Sequence, residues 1–210
     1  MSADRKVDLS GVSSLYERSL KEHGATPMGV GWRDEASQAL RFEKLLSLIN
    51  PSRESEPLTI NELGCGYGAL ADWIVASGLR LHLFRGYDIS ADMLDQARAR
   101  ISSTSTEWIQ GNTLDQMADY SFTSGIFNVR LDNDVESWRR YVEKSIGNLR
   151  AYSRRGFAFN LLSTYVDYRE RHLFYGDPLY FFDFCKRTCS RHVALLHDYP
   201  LYEWTISVRL

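Results

Sequence analysis

Residues 58–70 constrain this chain more than any other stretch. They read Leu-Thr-Ile-Asn-Glu-Leu-Gly-Cys-Gly-Tyr-Gly-Ala-Leu. An apolar run ends in an acid, Glu62. Three alternating glycines follow, Gly64, Gly66 and Gly68, and a helix-forming stretch comes next. That succession predicts a strand, a tight turn and a helix N-terminus. Glycine permits positive φ and clears side chains away, so a ligand can lie against the backbone. The N–H groups that open the helix point into the same space. The expected ligand is nucleotide-like and buried at the carboxyl edge of a sheet. The plainer alternative is a turn that only packs a helix close to a strand.

Residues 64–69 also satisfy the dinucleotide pattern G-x-G-x-x-G/A, with an acid, Asp88, about 20 residues further on. The motif is therefore open to two cofactor classes. One is a nicotinamide dinucleotide, which would make the chain an NAD(P)-dependent oxidoreductase.

The rest of the chain alternates strand and helix patterns. Strands are expected over 58–63, 81–88, 106–110, 120–124 and 156–162. Between them fall helices over 67–77, with Leu70, Trp73 and Ile74 on one face, and from Ser90, a natural N-cap, with Met93, Leu94, Ala97 and Ile101 buried. A short helix is expected over 113–118. A long one follows on Val135, Trp138, Val142, Ile146 and Leu149. Pro178 suits the first position of a later helix. Strand patterns at 192–195 and 203–210 close the chain. Trp204, Ile206 and Val208 alternate there with Thr205, Ser207 and Arg209, the mark of an antiparallel strand at or near an edge. Ahead of this core, residues 1–8 are polar and expected to fray. A helix is expected over 9–22, and a second carries Ala39, Phe42, Leu46 and Ile49 until Pro51 stops it. Repeated strand–helix units predict an α/β domain with a mostly parallel sheet covered on both faces.

The form Glu-x-Gly-x-Gly-x-Gly at residues 62–68 resembles motif I of the class I S-adenosylmethionine-dependent methyltransferases. The element order, down to the terminal antiparallel strand, resembles that family over residues 57–210. The resemblance implies a Rossmann-like, doubly wound seven-stranded sheet. It makes residues 57–210 the core and residues 1–56 a small helical cap. The implied cofactor is S-adenosyl-L-methionine, with S-adenosyl-L-homocysteine as product. It would lie on Glu62, Gly64, Cys65 and Gly66, with Ile89 and Met93 nearby and Asp88 on the ribose hydroxyls. Asn112, where the family usually has an acid, would face the adenine; an amide oxygen still accepts a hydrogen bond. Ser124 would border the methionine part. For the chemistry itself Asn128, Tyr165 and His23 are the candidates. Asn128 follows the fourth strand, Tyr165 lies beyond the fifth, and His23 ends the first helix.

Several other features have plain readings. Arg33 and Arg41 lie near Trp32 and Gln38, and an arginine there could meet the cofactor's carboxylate. Asn160, Ser163 and Tyr168 stand at the edge where open α/β sheets carry function. His197 and Asp198 are adjacent on a strand pattern, so they point to opposite faces and do not make a dyad. Cys185 and Cys189, with His192, fall short of a zinc set, and no metal is expected.

The full chain has 210 residues, a formal net charge of −2 and no long basic run. Phosphate-driven nucleic-acid binding is therefore not expected, nor is a polybasic membrane anchor. No apolar stretch reaches the length of a membrane span, and the first residues lack a signal-peptide core. Three cysteines build no disulfide framework. These features predict a soluble cytoplasmic protein. The resemblance implies an enzyme whose activity is methyl transfer to an oxygen or nitrogen of a small molecule, by in-line displacement. A homodimer is left open. A third alternative is a non-catalytic cofactor-binding partner of another subunit.

Overall fold

The structure is a computed structural model and describes residues 7–210. The expected fraying of residues 1–8 falls mostly on residues 1–6, outside the described residues. Asp8 is tied down, since its backbone N–H donates to Asn133 Oδ1 at 3.0 Å.

The strands are β1 (Leu58–Leu63), β2 (Leu81–Asp88), β3 (Thr106–Gln110), β4 (Ala118–Thr123), β5 (Ser153–Leu162), β6 (His192–Leu196) and β7 (Glu203–Arg209). They form one seven-stranded sheet in the order β3-β2-β1-β4-β5-β7-β6. The ladders β1–β2, β1–β4, β2–β3 and β4–β5 are parallel, and β7 runs antiparallel to β5 and β6. The chain builds outward from β1 to β3, then returns to place β4 on the other side of β1. That reversal opens a crevice beyond the carboxyl ends of β1 and β4, where open α/β sheets bind ligands.

The helices are α1 (Ser10–His23), α2 (Glu35–Leu46), α3 (Ala69–Ala76), α4 (Ala91–Arg100), α5 (Val135–Ala151) and α6 (Pro178–Thr188). Strand alternation sorts the core into two layers. On β5, Phe157, Phe159 and Leu161 face α5 and α6, where Trp138, Val142, Ile146, Phe181 and Cys185 close the layer. Ala158 faces the opposite way, joining Leu58, Ile60, Phe84 and Phe122 beneath Phe42 and Leu45 of α2 and Leu70 and Ile74 of α3. Side-chain carboxylates cap α2, α5 and α6: Asp34 accepts from Ser37 N, Asp134 from Ser137 N and Asp177 from Leu179 N. Each satisfies an N–H group that the helix start leaves without a partner.

Four expectations are corrected. The second helix buries Gln38, Arg41, Phe42 and Leu45 and ends at Leu46, so Ile49 is buried beyond it. Trp73 is 38% exposed and leans on Phe42 at 6.2 Å between ring centroids, away from the sheet. Residues 113–118 are not helical. Asn148 of α5 clamps this stretch instead, accepting from Leu114 N at 2.8 Å and donating to Leu114 O at 3.0 Å. On the polar side of β7 only Arg209 faces water, whereas Thr205 and Ser207 are buried. Glu203 and Thr205 are fully buried against α2 and the turn before the strand, where Thr205 meets the Tyr199 hydroxyl at 2.9 Å.

Candidate cofactor crevice

The turn after β1 is stitched to β2. Gly64 N and Cys65 N both donate to Tyr87 O, at 2.7 and 3.0 Å. Gly64 sits at φ +77°, and a Cβ there would lie 2.0 Å from Ile126 Cγ2. A side chain at this position is excluded both by the backbone and by the loop after β4. Asp88 completes the turn from the neighbouring strand. Its Oδ2 accepts from Gly66 N and its Oδ1 from Ser90 N, both at 2.9 Å. One carboxylate thus holds the glycine turn and the start of α4 together, and each oxygen keeps a free lone-pair direction.

A cavity opens above these groups. Its empty volume is about 950 Å³, counting space that communicates with solvent. Every residue that the sequence assigned to the cofactor lines it. Glu62, Gly64, Cys65 and Gly66 form one side, Asp88, Ile89 and Met93 another, and Asn112 and Ser124 lie at the ends of β3 and β4.

The only formally charged side chains on this lining, among the described residues, are Glu62 and Asp88, and both are acids. Burial raises the Glu62 carboxyl well above the usual range, and the nearby Asp88 charge adds to the shift. Asp88 is raised by burial too, against the backbone N–H groups that favour its ionised form. Burial also pushes up the Cys65 thiol, which is no nucleophile here.

The opposite wall is braced by side chains remote in sequence. Asn160 of β5 accepts from Gly125 N at 2.9 Å and donates to Ser124 Oγ at 3.1 Å, which fixes the loop after β4. Gly125 lies at φ +79°, and a Cβ there would meet Trp32 Cζ2 at 2.4 Å. Trp32 therefore lies flat on bare backbone. The Arg41 guanidinium stacks on its ring at 3.8 Å from the centroid. Arg41 in turn forms a fork to Glu203 of β7, Nε to Oε2 at 2.8 Å and Nη2 to Oε1 at 2.9 Å. Neither member of this pair lines the cavity. Arg41 is committed to Glu203, and Arg33 to Asp34 at the surface. The proposed arginine contact to the cofactor's carboxylate is thus not supported by where these side chains lie.

The three residues proposed for chemistry do not join the cavity lining. Asn128 is buried behind it, accepting from Leu162 N at 3.1 Å and donating to Glu203 Oε1 at 3.4 Å. Tyr165 is 64% exposed, with its ring 5.8 Å from that of His197. His23, at the end of α1, is exposed beside Glu22. Asp198 pairs with Lys44 and not with His197. Among the described residues no group of three or more His, Cys, Asp or Glu side chains is placed to hold a metal.

Sequence reasoning did not single out Leu9, Val12 and Tyr141 as lining residues. The helical spacing of Leu9, Val12 and Tyr16 marked an apolar stripe, but nothing in it said which surface the stripe covers. Tyr16 and Tyr141 both have hydroxyls pushed up to about 12 by burial, with the Asp88 and Glu203 charges adding to the shift at Tyr16.

A sulfonium nucleoside suits these groups. Glu62 Oε2 is buried without a hydrogen-bond partner among the described residues, an acceptor wanting a cation or a donor. A Cβ at Gly66 would meet nothing nearer than Val30 Cγ1 at 3.4 Å, so this glycine leaves its backbone bare to the cavity.

Comparison with known proteins agrees. A family model described as a methyltransferase domain matches residues 60–150. A Mycobacterium tuberculosis protein named "Putative methyltransferase Rv1506c" is 46% identical over 158 residues, which cover 74% of this chain and 95% of that protein. Solved structures share the fold. Magnesium protoporphyrin IX methyltransferase from Synechocystis PCC 6803, with bound SAH, superposes with a TM-score of 0.67 at 10% identity, covering 95% of this chain and 94% of the other. A SAM-dependent methyltransferase from Leishmania major gives 0.64 at 11% identity, covering 94% and 82%. The dinucleotide reading of the glycine turn gives way to S-adenosylmethionine as the cofactor. This chain belongs to the class I S-adenosylmethionine-dependent methyltransferase family.

Proposed function

We propose that the protein transfers a methyl group to an oxygen or nitrogen of a small-molecule acceptor. The observation that carries this reading is the cover that residues ahead of the core lay over the crevice. Leu9 at the start of α1, Val12 and Tyr16 within it, and Trp32 before α2 roof the same cavity that the glycine turn floors. Residues 1–56 act as the cap in this reading, and an acceptor that must fit beneath α1 is a small one. A polymer would need an open, basic approach, and no Lys or Arg is among the described lining residues.

The cofactor, when bound, supplies a methyl group already activated on sulfonium sulfur. The chain's own work is placement. Glu62, Gly64, Cys65 and Gly66 hold the methionine part, Asp88 takes the ribose hydroxyls, and Asn112 reads the adenine edge. Ile89 and Met93 pack the base, and Ser124 borders the sulfur end. Fixing an acceptor lone pair in line with the scissile bond is worth about 7–11 kcal/mol in favourable cases. The raised Tyr16 hydroxyl stays neutral near pH 7 and orients an acceptor by hydrogen bonding; it is no base.

The test is transfer of a labelled methyl group to a panel of hydroxyl- and amine-bearing metabolites, run beside RNA and protein substrates. Label in a small molecule is the expected result. Label in macromolecules alone would overturn the small-acceptor reading. Tight S-adenosylhomocysteine binding with no acceptor in any class would favour a cofactor-binding partner subunit. No described helix is long and apolar enough to cross a membrane.

A further inference from the structure

The two ends of the cavity differ in chemistry. Toward β2 and β3 lie Asp88, Ser90 and Asn112, a polar end suited to a nucleoside. Toward α1 and α5 the lining turns to Leu9, Val12, Ile126 and Tyr141. These side chains belong to or pack on one apolar cluster, in which Phe127 meets Tyr141 edge-on at 6.2 Å between ring centroids. Tyr16 stands at the junction, packed against this cluster and also against the one formed by Leu20, Tyr67 and Met93. Its hydroxyl makes no hydrogen bond to a described residue.

We propose that this second end is the acceptor subsite and that it takes an uncharged, ring-bearing molecule whose hydroxyl or amine meets Tyr16, while rejecting carboxylate and phosphate esters of the same size. The proposal rests on the small-acceptor reading and deepens it. Three observations point the same way. The wall is aliphatic and aromatic, which rewards a flat apolar body. The charges facing the cavity are the two acids Glu62 and Asp88. An anion would enter a low-dielectric space with no described cation on the lining to offset its lost hydration. The buried cation Arg41 lies behind Trp32 and is held by Glu203.

The test uses the full chain saturated with S-adenosylhomocysteine and needs no turnover. 2-Naphthol, 2-naphthoate and 2-naphthyl phosphate are titrated separately by calorimetry. The expected result is saturable naphthol binding at least tenfold tighter than either anion. Tyr16→Phe keeps the ring and should weaken naphthol about fivefold, leaving S-adenosylhomocysteine affinity within twofold and the melting temperature close to that of the parent. Val12→Phe, which fills the subsite, should abolish naphthol binding. Equal or tighter binding of an anion overturns the proposal, as does no naphthol binding at all, or an affinity unmoved by both variants. If S-adenosylhomocysteine itself fails to bind, the fault lies in the cofactor reading. If the naphthol result holds but a panel shows label only in macromolecules, the small-acceptor reading fails while the apolar subsite stands.

Discussion

The glycine turn lines the crevice and the Arg41–Glu203 seam backs it from beneath Trp32, and the two are built in opposite ways. The turn is local. Gly64, Gly66 and Asp88 act through backbone N–H groups and bare main chain, within one strand–turn–helix unit and its neighbouring strand. The seam is long-range. Arg41 and Glu203 stand 162 residues apart, and they meet only because β7 inserts between β5 and β6 under α2. A local device is specified by residue type and spacing. A long-range one is specified by the whole fold, and its parts look like unrelated surface charges until they are buried together.

The seam should give the largest effect on stability. Arg41 and Glu203 have side chains only 8% and 2% exposed. Removing one partner of a buried pair leaves an uncompensated charge, a loss of about 3–5 kcal/mol, whereas replacing both by apolar residues is often near neutral. Arg41→Met should therefore lower the unfolding free energy by about that amount in urea titrations. Adding Glu203→Met should restore most of it. A single variant no worse than the double would show that the pair is solvated and that the seam does not brace the cap.

The turn should dominate cofactor affinity instead. Asp88→Ala is expected to weaken S-adenosylhomocysteine binding by about 1–3 kcal/mol, the scale of hydrogen bonds to a charged group, with the unpaired Gly66 N–H adding to the loss. Gly66→Val should do worse, since its side chain would occupy the space left open toward the cavity. Affinity unchanged in both, by calorimetry on folded protein, would remove the crevice from this part of the chain.

The same contrast explains which features could be read ahead of the structure. β1, β2 and β3 have the bounds the sequence pattern predicts, although of the three only β1 is buried over nearly its whole length. The nine cofactor-side residues that the family resemblance implied share one cavity because all lie at or just past the carboxyl ends of β1 to β4. Asn128 was legible as a polar residue after β4 but not as a brace, since its partners Leu162 N and Glu203 come from β5 and β7. Tyr141 was hidden in the pattern of α5, where it reads as one more amphipathic position. Residues 113–118 looked helical because the Asn148 clamp that overrides local propensity lies on another element.

Asn160 belongs with the long-range parts, and a smaller effect tests it. Asn160→Leu preserves volume but strips Gly125 N of its buried acceptor. A buried donor left unpaired costs about 1–2 kcal/mol here, within the usual range for such a loss. Thermal melts should show that drop, and Trp32 fluorescence should change as the loop beneath it loosens. A silent variant would mean that Trp32 alone holds the loop.

The smallest expected effect is a pH slope at the turn. Burial, with Asp88 beside it, holds the Glu62 carboxyl above its ordinary 4.5. In the window from that value up to the folded one, the native state binds more protons than the unfolded chain. Unfolding free energy therefore falls as pH rises through the window, and the stability is fully present only below it. Glu62→Gln has no such proton to lose, so the unliganded variant should lose less stability between pH 5 and pH 8 than the parent. Asp88, raised in the same direction, keeps part of the slope. S-adenosylhomocysteine lacks the sulfonium but keeps an ammonium at its amino-acid end, and that cation beside Glu62 favours the ionised carboxylate, so the parent's affinity for it should rise with pH where that of Glu62→Gln is flatter. Identical slopes in the two proteins would show that the orphaned Glu62 oxygen is hydrated, and that the acid two residues before the first glycine serves the turn without sensing what the turn binds.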